Sequence, residues 1–339
     1  MPALLQASAT FAQATATFTA TAATCTTAIP DENGYVPPNA CNANYGFYPR
    51  WEDNTAFAIA FFMTTTAHVV QAFILKKSFC WVIIMGASWE CLCFIFRALG
   101  AKDQQESTYV VLSSLLLLLA PLWINAFVYM VVARLIYFLQ PLHEVKRIPA
   151  RWLAKAFVTA DIVCFIVQAA GGGMLANPDD PDIAKTGRNI YMVGVGIQLA
   201  FVMVFLGLTV IFHRDLAYNT RAGIVKLTSR WTKVLLWVVY AVLLLIVERI
   251  IFRLVEFSQG ASSSNVVLQH EEFQLYLDGL SMLLASIALN LVHPGLVLKG
   301  PNSSFPSTKI RWWQGRSAGM EPLALRSFER RSLDEVSLN

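Results

Sequence analysis

The nine residues Glu248-Arg249-Ile250-Ile251-Phe252-Arg253-Leu254-Val255-Glu256 end an apolar run that begins near Thr232. That run is long enough to cross a bilayer, so its charges fall inside the hydrocarbon or at its edge. Helical spacing puts Arg249, Arg253 and Glu256 on one stripe, with Glu248 on its flank. A charged side chain near the bilayer centre costs about 3 kcal/mol or more unless it is paired or wetted. A lone anchor helix would not keep such residues. The stripe must face protein or a water-filled cavity, and other helices must bring its partners.

Those helices are legible. The chain of 339 residues is 56% hydrophobic and 14% charged, with a mean hydropathy of +0.51. This excludes a soluble globular domain and implies several membrane spans. Apolar runs lie near 54–75, 80–99, 109–138, 152–176, 189–212, 232–256 and 273–298. Each has about 20 residues or more, enough for roughly 30 Å of hydrocarbon at about 1.5 Å per residue. The expected fold is all-α, a polytopic membrane protein built as a seven-transmembrane-helix bundle. The third run is over-long and contains Pro121, which predicts a kink or tilt.

Loop charge sets the expected orientation. The loops after runs one, three and five, with the C-terminal tail, carry 16 Lys and Arg; the N-terminal tail and the remaining loops carry 4. Positive charge gathers on the cytosolic side, which places the N-terminus outside and the C-terminus in the cytosol. Three regions follow: an extracellular Ala/Thr-rich tail over 1–53, the seven-helix domain over 54–298, and a basic cytosolic tail over 299–339. The tract Ala7–Thr27 has neither the basic start nor the unbroken apolar stretch of a secretory signal, and reads as a disordered tail open to O-glycosylation. Pro30 to Pro38 is turn-rich and not helical. Cys25 and Cys41 lie in this tail, where an oxidising space allows them to pair. Cys80, Cys91, Cys93 and Cys164 lie in or beside apolar runs and read as small buried hydrophobes. The sequon at Asn302 falls on the cytosolic side and is expected to stay unused.

With that topology, depth follows from position along each helix. Arg97, Arg249, Arg253, Glu256, Asp278 and Glu248 share the outer layer, with Glu90 near mid-depth. That is four acids against three arginines, the near-balance a buried cluster requires. An inner group is Arg134 in run three and Asp161 in run four. Two readings stand side by side. Buried ion pairs fix helix register in a bundle; alternatively, the groups line a cavity for a charged or amphipathic ligand. Gln168 with Gly171-Gly172-Gly173, and Gly194-x-Gly196-x-Gln198, suit close packing of runs four and five with a polar clamp; Gly171 to Gly173 also suit a flexible point in a moving helix. His68 is expected to bond a backbone carbonyl. His293-Pro294-Gly295 reads as a helix stop. The cavity set is thus Glu90, Arg97, Asp161, Gln168, Gln198, Arg249, Arg253, Glu256 and Asp278. Arg134, Glu248, Glu271 and His293 are assigned structural roles.

No phosphate-binding G-x-x-x-x-G-K-[ST], H-E-x-x-H, G-x-S-x-G or paired C-x-x-C is present, and no nucleophile–base pair stands out. The reading therefore has no catalytic residue, no metal ligand and no cofactor. Its partners are membrane lipids and an amphipathic small molecule, not nucleic acid. The sequence leaves the oligomeric state open.

At these residues the chain resembles a fungal family of seven-helix proteins. They are the lipid-translocating exporters, or 7-aminocholesterol-resistance-like proteins, which include sphingoid long-chain-base exporters. The similarity covers roughly residues 45–298. It is carried by Glu90 and Arg97; Ala120-Pro121, Ala126, Tyr129 and Arg134; Asp161, Gln168 and Gly171-Gly172; Gly187, Gly194 and Gln198. It continues through Arg249, Arg253, Glu256 and Gly260, then His270-Glu271, Asp278 and His293-Pro294. Cys93-Phe94 stands where the family usually has Gly-Tyr, and Tyr276 lies one place from the family's usual tyrosine. The resemblance implies a plasma-membrane protein that handles lipid-like or cationic amphipathic molecules and affects resistance to toxic ones; some relatives resemble porphyrin or haem transporters.

The expected function is translocation or export of amphiphiles, such as a sphingoid base, without ATP. The ligand's amine would pair with Glu256, Asp278 or Glu90. A seven-helix receptor is the reading from another class, and an enzyme acting on lipid within the membrane is a third. Against a receptor stands Ala133-Arg134-Leu135 in place of Asp-Arg-Tyr.

Overall fold

A computed structural model of the protein describes residues 26–37, 40–175, 181–225, 230–258 and 266–298. The tract up to Cys25, Gly260 and the tail from 299 lie outside the described residues.

Among the described residues, seven helices are long and apolar enough to cross a membrane, and the protein is a multi-pass membrane protein. They are α1 (Trp51–Leu75), α2 (Trp81–Lys102), α3 (Ser107–Leu139), α4 (Ala150–Leu175), α5 (Pro181–Arg221), α6 (Arg230–Ser258) and α7. Helix α7 is made of Glu271–Gln274, a π turn over Leu275–Gly279, and Leu280–Leu291. Neighbours in sequence pack side by side, and α7 closes against both α6 and α1.

Helix α3 is central. Phe127, Val128, Tyr129, Val131, Val132 and Ala133 are all buried, so this part of the helix meets protein on every side, while Val111 and Leu115 near its start are exposed. It touches α2, α4, α5, α6 and α7. Helix α1 is the contrast: Phe62, Met63, Phe73 and Ile74 stand exposed on its outer face, as lipid contact requires. Helix α5 has 41 residues, about 61 Å of helix, roughly twice the hydrocarbon thickness. The expected span over 189–212 is thus only the middle of a longer rod. Beyond it, Asn219 Nδ2 donates to Gln140 Oε1 at 2.9 Å and ties the extension to the end of α3.

One small strand pair was not anticipated by an all-helical reading. Glu144–Val145 (β1) pairs antiparallel with Ile148–Pro149 (β2). The two-residue connection, Lys146-Arg147, takes positive φ at both positions, 49° and 66°, the left-handed turn that suits a tight hairpin.

The described part of the N-terminal segment contains no helix and packs over the end of the bundle where α1 and α7 begin. Asp31 Oδ1 accepts from the backbone N–H of Asn33 and of Tyr35, both at 2.8 Å, and Gly34 closes the turn at φ 81°. A Cβ on Gly34 would sit 3.1 Å from the backbone nitrogen of Gln104, so the turn rests directly on the α2–α3 connection. Asn44 Nδ2 donates to the Gln104 carbonyl at 3.0 Å. Cys41 is disulfide-bonded, while Cys25, its expected partner, lies outside the described residues. Cys80, Cys91, Cys93 and Cys164 are free and buried.

Candidate site: a chain of buried ion pairs across five helices

The site begins with Pro121. Proline has no N–H, so the carbonyl four residues back, that of Leu117, loses its helical donor. Arg249 Nη2 from α6 donates to that carbonyl at 3.1 Å. The Arg249 Nε–H donates to Asp278 Oδ1, and Arg253 Nη2 donates to Asp278 Oδ2. One carboxylate therefore receives two guanidinium groups a single turn apart on α6. Asp278 lies in the π turn of α7. An extra residue in a helical turn re-aims side chains locally, and such turns recur at functional sites.

From Arg253 the chain continues. Its Nη1 donates to Glu256 Oε2 at 2.9 Å, and Gln274 Nε2 donates to Glu256 Oε1 at 2.8 Å. Gln274 Oε1 in turn accepts from Arg97 Nη1 at 3.0 Å. The remaining donors of Arg97 go to Asn54 Oδ1 at 2.9 Å and Glu271 Oε1 at 2.8 Å. Glu271 also accepts from Asn54 Nδ2 and from the Arg50 backbone N–H, both at 2.7 Å. The path runs from Glu271 through Arg97, Gln274, Glu256, Arg253 and Asp278 to Arg249 and Leu117. It joins α1, α2, α3, α6 and α7.

Arg97, Arg249, Arg253, Glu256, Asp278 and Glu271 are all buried. Three arginines face three acids, and charge-assisted bonds satisfy the groups that would otherwise be intolerable in hydrocarbon. The acids differ from those weighed in the sequence. Glu271, read as structural, is the partner of Arg97. Glu248 is half-buried and accepts from Ser281 Oγ on α7 instead of joining the arginines. Asn54 and Gln274 were missed. Gln274 had a signal: Glu271, Gln274 and Asp278 recur at helical spacing on one face of α7. Asn54 had none beyond being an amide at the start of an apolar run.

Glu90 stands apart. It is fully buried, and neither carboxyl oxygen has a hydrogen-bond partner. The charges that act on it are those of Asp278, Arg249 and Arg253. Arg253 Nε also lacks an acceptor. An unfilled acceptor and an unfilled donor thus lie within electrostatic reach of each other, beside a chain that is otherwise complete.

The other sequence candidates fall elsewhere. Asp161 on α4 accepts from Asn125 Nδ2 and Tyr129 OH of α3, both at 3.1 Å. Arg134 does not share that site: it donates to the Met130 carbonyl at 3.2 Å and lies 4.1 Å over the Phe79 ring. Gln168 and Gln198 bond each other at 2.9 Å across α4 and α5. Around that clamp a Cβ on Gly171 would sit 2.5 Å from Tyr191 N, and one on Gly187 2.6 Å from Leu175 N. These glycines, with Gly194 against Gln168, let the two backbones touch. Gly173 and Gly196 have open space around them and take no part. Tyr276 is exposed, outside the polar chain. Phe94 stacks on Phe57 and Phe61, at 5.0 and 5.5 Å, and abuts Gly279.

His68 bonds a side chain, Ser286 Oγ at 3.2 Å, and not the backbone carbonyl expected. The hydroxyl of α7 reaches the ring first. His293 accepts the Gly295 N–H at Nδ1, 3.0 Å, and its Nε2 lies 3.4 Å from Cys80 Sγ. The neutral ring then carries its proton on Nε2 and directs it at sulfur. It does not act as a base toward the thiol, and the pair serves to fasten the end of α7 to the start of α2. Among the described residues no cluster of three or more His, Cys, Asp or Glu is arranged to hold a metal.

A cavity of about 480 Å³ lies on the outer face of α1, lined by Phe62, Met63, Thr66, Ala67, Val70 and Gln71. A second, of about 400 Å³, lies between the end of α3, the β hairpin and the extension of α5, and includes Gln140, Lys146 and Asp215. Neither is lined by the ion-pair chain.

Residues 83–301 match the family described as RTA1 like protein. A probable lipid transporter of Emericella nidulans, atnI, is 36% identical over 291 residues, covering 83% of this chain and 75% of that protein. Protoporphyrin uptake protein 1 of Saccharomyces cerevisiae is 29% identical over 209 residues, 61% of this chain and 65% of its own length. A sphingoid long-chain base transporter of the same yeast, RSB1, is 25% identical over 304 residues, covering 79% and 78%. No solved structure matches. The family match takes in α2 to α7 and with them every arginine and acid of the buried chain, and the protein belongs to the RTA1-like family of multi-pass membrane proteins.

Proposed function

We propose that the protein moves lipid-like amphipathic molecules, a sphingoid base or a similar long-chain amine, across the membrane without hydrolysing ATP. The observation that carries this reading is Glu90. Every acid of the arginine chain has a guanidinium, whereas Glu90 is buried with two bare oxygens. A protonated amine supplies the missing donor and the missing charge. The unfilled Nε–H of Arg253 offers a place for a hydroxyl of the same headgroup. The arginine chain then acts as a scaffold that holds Asp278 and Glu256 fixed while Glu90 receives the ligand. Because Glu90 is buried, the headgroup reaches it only when helices part.

The relatives named as lipid and sphingoid-base transporters support this substrate class and a role other than catalysis. Positive charge in the loops supports an outside N-terminus, which would set the ion-pair chain toward the outer leaflet; the plasma membrane is the proposed site of action. The regions 1–53, 54–298 and 299–339 then serve as outer tail, translocation domain and inner basic tail. The relative named for protoporphyrin uptake gives a second reading, in which a porphyrin's carboxylates compete for the arginines.

The test is flux in liposomes holding the purified full chain. Labelled sphingoid base crosses faster than in empty liposomes, and faster than labelled protoporphyrin. Porphyrin moving alone selects the second reading; no acceleration of either, or of phospholipid, overturns both.

A further inference from the structure

Asp161 is a buried carboxyl with no positive partner among the described residues. Its Oδ2 accepts from Asn125 and Tyr129, both neutral, and its Oδ1 has no donor. Asn125 spends its amide N–H on Asp161, and its own Oδ1 also has no donor. Both side chains are at least nine-tenths buried, at 3% and 2% exposure. Two adjacent residues therefore each present a bare oxygen, in a site that carries one formal negative charge and no compensation. A native structure rarely leaves such groups unfilled without a bound species to explain them.

We propose that Asp161 and Asn125 hold one monovalent cation, H+ or Na+, between α3 and α4. One carboxylate matches one positive charge, which favours a monovalent over a divalent ion on these oxygens. A proton on Asp161 Oδ1, donated to Asn125 Oδ1, completes a two-bond acid–amide ring with the N–H already given to Oδ2. That single addition satisfies both bare oxygens. Na+, a hard cation, takes the same oxygens. The groups that face the site are few. Tyr129 comes from α3 and Cys164 from the next turn of α4, while α5 sets the Phe205 ring 4.5 Å from that of Tyr129. Among the described residues Asp161 forms no ion pair with a Lys, Arg or His, and its hydrogen-bond partners are Asn125 and Tyr129. The site is separate from the ion-pair chain, whose acids have arginines of their own. Using this charge to drive lipid movement rests on the function proposed above; binding it does not.

The experiment follows thermal unfolding of the purified full chain in detergent by tryptophan fluorescence, for wild type and Asp161→Asn. In one arm Na+ replaces choline from zero to about 150 mM at constant ionic strength; binding to the folded state raises the wild-type Tm by at least about 2 °C. In the other arm pH rises from about 5 to about 8 without Na+; a bound proton makes the wild-type Tm fall relative to the variant. Asp161→Asn loses whichever response the wild type shows. A response in the first arm assigns Na+, and one in the second assigns H+. Parallel curves for the two proteins in both arms overturn the proposal. Should Asp161→Asn not fold, Asn125→Ala in the same titrations serves: it removes one of the two oxygens and halves or abolishes the response, and an unaltered response overturns the proposal. Lipid flux that fails while a cation response persists rejects the transport reading and leaves this site standing.

Discussion

Pro121 and Arg249 complement each other across the interface of α3 and α6. The proline deprives the Leu117 carbonyl of its helical donor, and the guanidinium replaces that donor at 3.1 Å. An arginine that could not stay in hydrocarbon alone thereby gains a backbone acceptor besides its carboxylate. Helix α3 gains a fixed point against α6 without a side-chain partner of its own.

This pairing predicts a coupled pair of substitutions. Arg249→Met strips Asp278 of one guanidinium and leaves the Leu117 carbonyl bare, and should cost about 3–5 kcal/mol in reversible unfolding in mixed micelles. Pro121→Ala restores the helical donor. In that background Arg249→Met should cost less by about 1 kcal/mol, because one of its two debts has been settled. Equal costs in both backgrounds would refute the link.

Arg97 and Glu271 form the other end of the chain, and here the prediction concerns charge left behind. Glu271→Leu strands Arg97, and Arg97→Met strands Glu271; each should lose about 3–5 kcal/mol. The double variant removes both charges and should be more stable than either single one. Asn54→Ala deletes the bonds its amide donates to Glu271 and the Arg50 carbonyl and the one it accepts from Arg97, and should cost about 1–3 kcal/mol. Additive losses in the double variant, read from the same unfolding curves, would show that the two do not form a unit.

The N-terminal segment seals that end. The Phe47 ring lies 5.8 Å from the Arg97 guanidinium carbon, and Tyr45 lies against Gly100 with its hydroxyl buried and unpartnered. Burial pushes the Tyr45 phenol up to about 12; nearby Arg97 pulls it down and Glu271 adds to the rise. A raised phenol keeps its proton in the folded state where the unfolded chain loses it. The segment's contribution is therefore complete below about pH 10 and declines as pH rises toward 12. Gly100→Ala places a methyl 2.2 Å from the Tyr45 oxygen, which must swing away because it is the free end of the side chain. One tyrosine, identified by its loss in Tyr45→Phe, should then titrate near the ordinary value in ultraviolet difference spectra. An unchanged high titration would mean that the segment does not rest on this hydroxyl.

The charges on α6 made much of this arrangement readable, because arginines and acids in an apolar run demand partners wherever they lie. Arg249, Arg253, Glu256 and Asp278 were recognisable as one group for that reason alone. Which acid met Arg97 was not readable. Glu271 sits at the first turn of α7, where an acidic residue is ordinary at any helix start. The π turn was hidden as well, since a one-residue insertion leaves an apolar pattern intact while turning Asp278 toward two arginines. Loop positions set by depth placed Arg134 near Asp161, but Arg134 found an aromatic face and a carbonyl closer to hand. Distance along a helix fixes level in the membrane and says nothing of which neighbour a side chain turns to.

The glycines of α4 and α5 give the last prediction. Sequence spacing treats Gly171, Gly172, Gly173, Gly194 and Gly196 alike, whereas the backbone contacts divide them. At Gly171 a methyl would meet Tyr191 N at 2.5 Å and the Gly187 carbonyl at 2.7 Å, both backbone atoms that cannot step aside. Gly171→Ala and Gly187→Ala should therefore force the helices apart, costing about 1–3 kcal/mol and lengthening the Gln168–Gln198 bond. At Gly173 and Gly196 a methyl meets nothing. Alanine there adds no clash and restricts the backbone, so these variants should match or exceed wild-type stability by up to about 1 kcal/mol. The same unfolding measurement separates the two classes. Loss at Gly173 or Gly196 comparable to that at Gly171 would point to bending of these helices, and not their close contact, as the reason the glycines are there.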